Sequence, residues 1–395
     1  MRLFNVINIW IKVSILCILL ISDRKVFLEP LHIHPFYLPN KKPIINFDMD
    51  KIDTLQKGRK YLDKCIASRD KIAHNYIKKP KISIIIPLYN CQKTINQSLY
   101  SVQYQNLSHF EIILINDFSK DNTSKIIKYF QENDKRIKII NNHKNMGTLY
   151  SRSVGVLISK GKYIFSLDDD DMYFDNDIFD NIYKIGENEN LDIIGFLTVN
   201  LRNYKGNIKK MKSLFTYLYP DGLFIEQPEL GKWMIEFKGK FLVHNNMIWD
   251  KCIKSLIYKN AVNLLGIKRY SNYISWAEDA SILFVILNIS KSFKLNNKYG
   301  ILHFKGNTTA SLTQSNYTKI FGEIFFLDII FDFSMNNTEI KNLIVGQALY
   351  IKSKYLKTKL NNDSNSIYLR SVLNKIIKCK YLSKLNKRKL KKIFY

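Results

Sequence analysis

The chain has 395 residues, too many for one average domain of ~150 residues. Its 46% hydrophobic and 13% aromatic content excludes a wholly disordered or collagen-like protein, which lacks the apolar surface to offset chain entropy. With 61 Lys and Arg against 34 Asp and Glu the net charge is +27, which attracts a nucleic acid, an anionic membrane face or a phosphorylated small molecule alike. A chain so rich in Lys, Asn, Ile and Tyr owes much of that charge to composition bias, so charge alone assigns no partner. The cysteines, Cys17, Cys65, Cys91, Cys252 and Cys379, are odd in number and unevenly spaced, which implies no disulfide framework. No CxxC pair exists, and His32 and His34 have no partner cluster, so a structural zinc site is not expected.

In chain order, Leu3 to Ile21 is an apolar stretch of about the length that spans hydrocarbon, ~17 to 25 residues, interrupted by Asn8, Lys12 and Ser14. Three readings stay open: an uncleaved single-pass anchor, a cleaved signal whose apolar region is Val13 to Ile21, and a buried helix. The anchor is the working expectation for residues 1–25, with an endomembrane location (Golgi or ER) and membrane association through this helix. Half of the eight prolines (Pro30, Pro35, Pro39, Pro43) then fall in one short stretch, and Met49 to Tyr76 carries helical spacing, so residues 26–80 read as a stalk with a helix.

Beyond Pro80, short β-rich runs alternate with helical segments. Ile82–Ile86 precedes Thr94–Gln103, Glu111–Ile115 precedes Thr123–Gln131, Ile137–Ile140 precedes Thr148–Ser159, and Tyr163–Leu167 follows. This βαβ rhythm predicts an α/β fold with a mostly parallel sheet covered on both faces and a ligand crevice at the carboxyl ends of its strands. From Lys375 onward the tail is rich in Lys and Arg and has no acidic residue, which reads as a solvated basic helix or a helix docked on an anionic membrane.

The chemistry-bearing residues fall at those strand ends. Tyr163–Leu167 runs into Asp168, Asp169, Asp170 and Asp171, a row of carboxylates that is stable when solvated or when a hard cation such as Mg²⁺ or Mn²⁺ offsets it. The first strand ends in Pro87-Leu88-Tyr89-Asn90 and the second in Asn116-Asp117-Phe118-Ser119, which puts an aromatic face and a carboxylate at the crevice mouth. Asp117 could accept the imide N–H of uracil while Tyr89 packs on the ring, or it could simply cap the next helix.

Together these runs resemble the family 2 glycosyltransferases. The resemblance covers roughly Lys81 to Ser311. It rests on Ser83 to Asn90, on Asn116-Asp117-Phe118-Ser119 where many members have Asp-Asp-Gly-Ser, on Asn145 and Gly147 ahead of the helix with Arg152, and on Gly161-Lys162-Tyr163 leading to the aspartates. It implies a GT-A fold over residues 81–310, and inverting transfer of a sugar from a nucleotide-sugar donor, a UDP-sugar by expectation, to a glycan, protein or lipid hydroxyl; residues 311–395, beyond the resemblance, read as a helical basic region. It also implies roles: Pro87, Tyr89 and Asp117 for the nucleoside, Asp168 and Asp170 as the DxD pair, with Asp170 as direct ligand of Mg²⁺ or Mn²⁺ and Asp168 near the ribose. Asp279, or failing it Glu278, in Trp276-Ala277-Glu278-Asp279 resembles the carboxylate that deprotonates the acceptor, though both also suit a helix first turn. Lys305 stands where members often place an Arg facing the diphosphate, Trp249-Asp250-Lys251 resembles an acceptor-side Trp-x-Lys, and His303 is a candidate third metal ligand. No Gln-x-x-Arg-Trp occurs, so single-sugar transfer is expected. The rivals are a catalytically inactive GT-A module and a nucleic-acid-binding protein, and the aspartate cluster argues against the latter, so no nucleic-acid partner is expected.

Overall fold

The computed structural model describes residues 79–204, 207–210, 223–227, 247–266, 269, 273–305, 316–333, 351, 364–378 and 388. The anchor segment (1–25) and nearly all of the stalk (26–80) therefore lie outside the described residues. The expected single-pass anchor, with the endomembrane location built on it, is corrected: among the described residues no helix is long and apolar enough to cross a membrane. The physical weakness is visible in the sequence, since Lys12 inside the apolar stretch costs roughly 2.5 to 3.5 kcal/mol at a helix centre.

The elements from Ile82 onward follow the predicted rhythm, with ends shifted by one or two residues. They are β1 (Ile82–Leu88), α1 (Ile95–Gln103), β2 (Phe110–Asn116), α2 (Thr123–Asn133), β3 (Ile137–Asn141), α3 (Thr148–Ile158) and β4 (Tyr163–Ser166). After them come β5 (Met172–Tyr173), α4 (Ile178–Asn188), β6 (Ile193–Tyr204), β7 (Asn207–Lys210), β8 (Phe224–Glu226), β9 (Lys251–Lys254), α5 (Ser255–Leu265), α6 (Glu278–Ile289), β10 (Ser292–Lys305), α7 (Asn316–Phe333) and α8 (Ser364–Lys378).

These strands form one sheet in the order β3-β2-β1-β4-β9-β6-β10-β5, with β7 on β6 and β8 on β10. The β1/β2, β2/β3, β1/β4 and β6/β10 pairs are parallel, whereas β9 runs antiparallel to both of its neighbours. β1 and β2 are buried along their whole length, and their side chains alternate between two cores. Ile85, Ile113 and Ile115 face a core shared with α3, α5, α6, α7 and α8, whereas Ile84, Ile86, Ile112 and Leu114 face one shared with α1, α2 and α4. Burial on both faces is why these strands read as unbroken apolar runs.

The chain moves outward from β1 to β2 to β3 and then returns to the other side of β1 as β4. That reversal opens a crevice between the carboxyl ends of β1 and β4, the place where open α/β sheets bind ligands. Pro87 suits the opening. Ile85 O accepts from Leu167 N and Leu88 O from Asp117 N, so by strand alternation Pro87 turns its backbone nitrogen toward β4, whose pairing with β1 has already ended at Ser166.

The helices after β10 complete the first of these cores. Ile324, Leu327 and Ile330 of α7 and Leu369, Val372 and Ile376 of α8 are buried in it. Lys375 reaches Asp328 at 2.8 Å and also pairs with Asp332, both on α7, so this part of the basic tail is neutralised within the fold. Gly322 brings α7 directly onto the loop before α6: a Cβ there would lie 2.1 Å from the Trp276 carbonyl oxygen. Gly322→Ala must therefore push helix and loop apart. The expected cost is ~1–3 kcal/mol, read as a lower urea midpoint at unchanged slope, and an unchanged midpoint would show that the contact yields freely.

Candidate active site

Three segments converge on the crevice: the turn after β1, the aspartate row after β4, and the first turn of α6. Arg152 of α3 joins the last two. Its side chain is buried, with Nη2 donating to Asp168 Oδ1 at 3.0 Å, Nη1 donating to Asp279 Oδ1 at 2.6 Å, and Nη1 also 3.6 Å from Glu278 Oε1. Burial disfavours the guanidinium charge, but Asp279 and Asp168 outweigh that, and its pKa is raised. Arg152 Nε has no hydrogen-bond partner among the described residues. α3 places Arg152 on its apolar stripe, between Leu149 and Val156, so the residue must enter the protein and find carboxylates there.

The aspartates take separate roles. Asp168 is half-buried, with its side chain 32% exposed. Asp169 turns toward β1, where Tyr89 N donates to its Oδ2 at 3.5 Å, and burial beside Asp168 pushes its pKa up to about 7. Asp170 is raised to about 9, first by burial and then by Asp171 and Asp169, and its Oδ2 is buried without a hydrogen-bond donor among the described residues. Asp171 is fully buried and accepts from Phe304 N at 3.1 Å, with His303 Nδ1 2.9 Å from both of its oxygens. Trp249 stacks on that imidazole at 4.6 Å between centroids. His303 thus partners the fourth aspartate through Nδ1.

A carboxylate oxygen left buried without a donor is stabilised by a proton or a cation, so Asp170 Oδ2 fits a hard divalent ion. Among the described residues no three His, Cys, Asp or Glu side chains are placed to hold an ion by themselves. An ion here would complete its shell with phosphate oxygens and water, as Mg²⁺ commonly does.

At the first turn of α6, Ala277 has a left-handed backbone (φ 55°), which turns the chain so that Glu278 and Asp279 enter the crevice. Behind it, Trp276 Nε1 donates to Glu323 Oε1 of α7 at 3.3 Å, and Lys319 lies over its ring. Asp279 is pushed up to about 8, mainly by burial, with Arg152 opposing and Glu278 adding to the rise. Glu278 is also raised by burial, against the pull of Arg152.

Of the nucleoside candidates, Pro87 is buried in β1 and Tyr89 is 42% exposed at the mouth. Asp117 is buried and serves the loop before α3: Oδ1 accepts from Asn142 Nδ2 at 2.7 Å and Met146 N at 2.8 Å, and Oδ2 from Gly147 N at 2.8 Å. Gly147 has φ +87° and lies against the Ile274 backbone, so a side chain there would be strained. Lys305 ends β10 in register with Arg202, and its side chain lies outside the described part. Lys251, in the expected Trp-x-Lys run, is buried, with Nζ 2.7 Å from Asp250 Oδ1 and 2.6 Å from Met247 O. Sequence reading gives no role to Arg152 or Asp171 and offers His303 only as a metal ligand, though an arginine on an apolar helical stripe is a usable signal.

Residues 83–248 match the family model described as Glycosyl transferase family 2. The uncharacterized glycosyltransferase EpsJ of Bacillus subtilis is 35% identical over 116 residues, 29% of this chain and 33% of that protein. The uncharacterized glycosyltransferase MJ1057 of Methanocaldococcus jannaschii is 29% identical over 198 residues, 44% of this chain and 65% of that protein. The chain thus spans less than two thirds of the length of these curated relatives. Among solved structures, Staphylococcus aureus TarS 1–349 in complex with UDP-GlcNAc superposes with TM-score 0.55 at 14% identity, over 78% of this chain and 82% of that one. At that identity the likeness shows the fold, a mixed α/β architecture with a mostly parallel sheet that matches GT-A.

The raised carboxyls set a pH dependence. Asp279 (about 8) and Asp170 (about 9) titrate above the ~3.9 of an unfolded Asp, so between those values the folded state binds more protons. Their stabilisation is complete below the unfolded value and is lost as pH rises through the folded ones. With chelator present, the thermal midpoint should fall from pH 5 to pH 9, and Asp279→Asn should flatten the part of the fall that lies below pH 8. A midpoint that rises over this range would contradict these shifts.

Proposed function

We propose, on the premise that the chain carries a glycosyl transferase family 2 domain over residues 83–248, that it transfers one sugar from a nucleotide-sugar to an acceptor hydroxyl with inversion. One observation carries this reading: Arg152 draws together Asp168, at the end of the strand that faces the donor crevice, and Asp279, 111 positions later at a helix start. A donor-side and an acceptor-side carboxylate then share one cleft. A UDP-sugar is the proposed donor, since TarS is described in complex with UDP-GlcNAc and Tyr89 offers an exposed ring at the crevice mouth.

Asp279 acts as the base. Burial holds its carboxyl near the pH at which it takes a proton readily, and Arg152 on Oδ1 fixes its orientation. It takes the acceptor proton as the hydroxyl oxygen forms its bond to the anomeric carbon, on the face opposite the diphosphate. The bond from that carbon to the phosphate oxygen breaks, and the electron pair leaves with the nucleoside diphosphate. Asp170, with Asp168, would hold Mg²⁺ or Mn²⁺ beside the donor phosphates. Such an ion supplies positive charge against that developing on the leaving diphosphate. Glu278 is the alternative base, and an inactive nucleotide-sugar-binding module is the alternative function.

Donor affinity and transfer rate, measured on the full chain with a panel of UDP-sugars, separate these roles. Asp279→Asn should lower transfer by roughly 10² to 10⁴-fold while leaving donor Kd within about twofold. Asp170→Ala should lose cation-dependent donor binding as well as transfer. Should Glu278→Gln alone slow transfer, Glu278 is the base, and donor binding without any transfer in the wild type would establish the inactive module.

A further inference from the structure

Phe118 stands directly after Asp117, just past the carboxyl end of β2, and two features mark it. Its backbone is left-handed (φ 64°), a conformation that bulky residues seldom adopt, and its side chain stays 39% exposed. A large apolar side chain held in strain and left about two-fifths exposed gives up part of what burial would contribute to the fold, and strain of this kind clusters at ligand sites. The surroundings keep the loop rigid. Asn90, also left-handed (φ 51°), donates from its N–H to Ser119 Oγ at 3.0 Å and accepts from Lys120 N through Oδ1 at 2.8 Å, while Ser119 N donates to Asn116 Oδ1 at 3.1 Å. The loops after β1 and β2 are thereby clipped together. The Lys120 ammonium sits over one face of the Phe118 ring, 3.4 Å from its centroid, which fixes the ring's orientation. Strand register sets Leu88 opposite Asn116, so Tyr89 and Phe118 leave adjacent strands within a residue of one another in height.

We infer that Phe118 is a nucleobase-binding residue of the donor site, an aromatic platform on which the base stacks beside Tyr89. The inference rests on the nucleotide-sugar reading above. A planar base matches a rigid exposed ring at this place, whereas the sugar and phosphates extend toward the carboxylates after β4.

The test measures binding of UDP, GDP and ADP, and of inorganic pyrophosphate as a base-free probe, to the full chain in the presence of Mg²⁺ by titration calorimetry. Phe118→Gly relieves the strained backbone and should raise the thermal midpoint, which also confirms folding. It should weaken the preferred nucleoside diphosphate by roughly 10- to 100-fold and leave pyrophosphate unchanged, and Phe118→Trp should keep wild-type affinity. Phe118→Leu, which keeps the strain and loses the ring face, should bind like the glycine variant. Nucleotide affinity of Phe118→Gly within twofold of wild type would overturn the inference alone, as would an equal loss of pyrophosphate. A wild-type protein that binds no nucleoside diphosphate would overturn the nucleotide-sugar reading and this inference with it.

Discussion

Carboxylates withdrawn from water lose hydration and repel one another, and in this crevice Asp168, Asp169, Asp170, Asp171, Glu278 and Asp279 lie close enough to perturb one another. Arg152 is the buried cation set among them. Removing one partner of a buried ion pair typically costs ~3–5 kcal/mol, because the other charge is left uncompensated. The surrounding architecture serves that pairing. The strand reversal at β1 opens the crevice, α3 aims the guanidinium into it, and α7, through Gly322 and Glu323, braces the Trp276 loop so that α6 starts at the guanidinium.

Burial and crowding of like charge together shape the site. Burial first, and then the neighbouring carboxylates, raise the Asp170 and Asp279 carboxyls, with Arg152 opposing the rise at Asp279. Both carboxyls thereby hold a proton more readily than a solvated Asp does. The Asp171–His303–Trp249 stack keeps the fourth aspartate apart from this work by tying it to β10.

The parallel half of the sheet was legible because β1 and β2, buried on both faces, leave unbroken apolar runs between helical periods. β9 was not: four residues, Lys251–Lys254, carry too little pattern, and the strand's place is fixed by partners on β4 and β6. The candidate carboxylates could be read from their positions at strand and helix ends, and the structure brings Asp168, Glu278 and Asp279 together. Their mutual charge was invisible, since it depends on Arg152 bridging residues 16 and 127 positions away. Asp117 also binds the loop before α3, through backbone N–H groups that no sequence pattern displays. The departure at Phe118 acquires a physical meaning, because its φ of 64° is a conformation that glycine adopts without strain.

A double-mutant cycle between Arg152→Met and Asp279→Asn, read as unfolding free energy of the full chain in urea, tests the central claim that one guanidinium holds the strand-end and helix-start carboxylates of the crevice together. Residues in one buried ion network couple by roughly 0.5–3 kcal/mol, and for this pair we predict at least ~1.5 kcal/mol, with the double variant more stable than the sum of the single losses implies. Losses that add to within ~0.3–0.5 kcal/mol would contradict the account, because they would mean that Arg152 and Asp279 stabilise the fold independently.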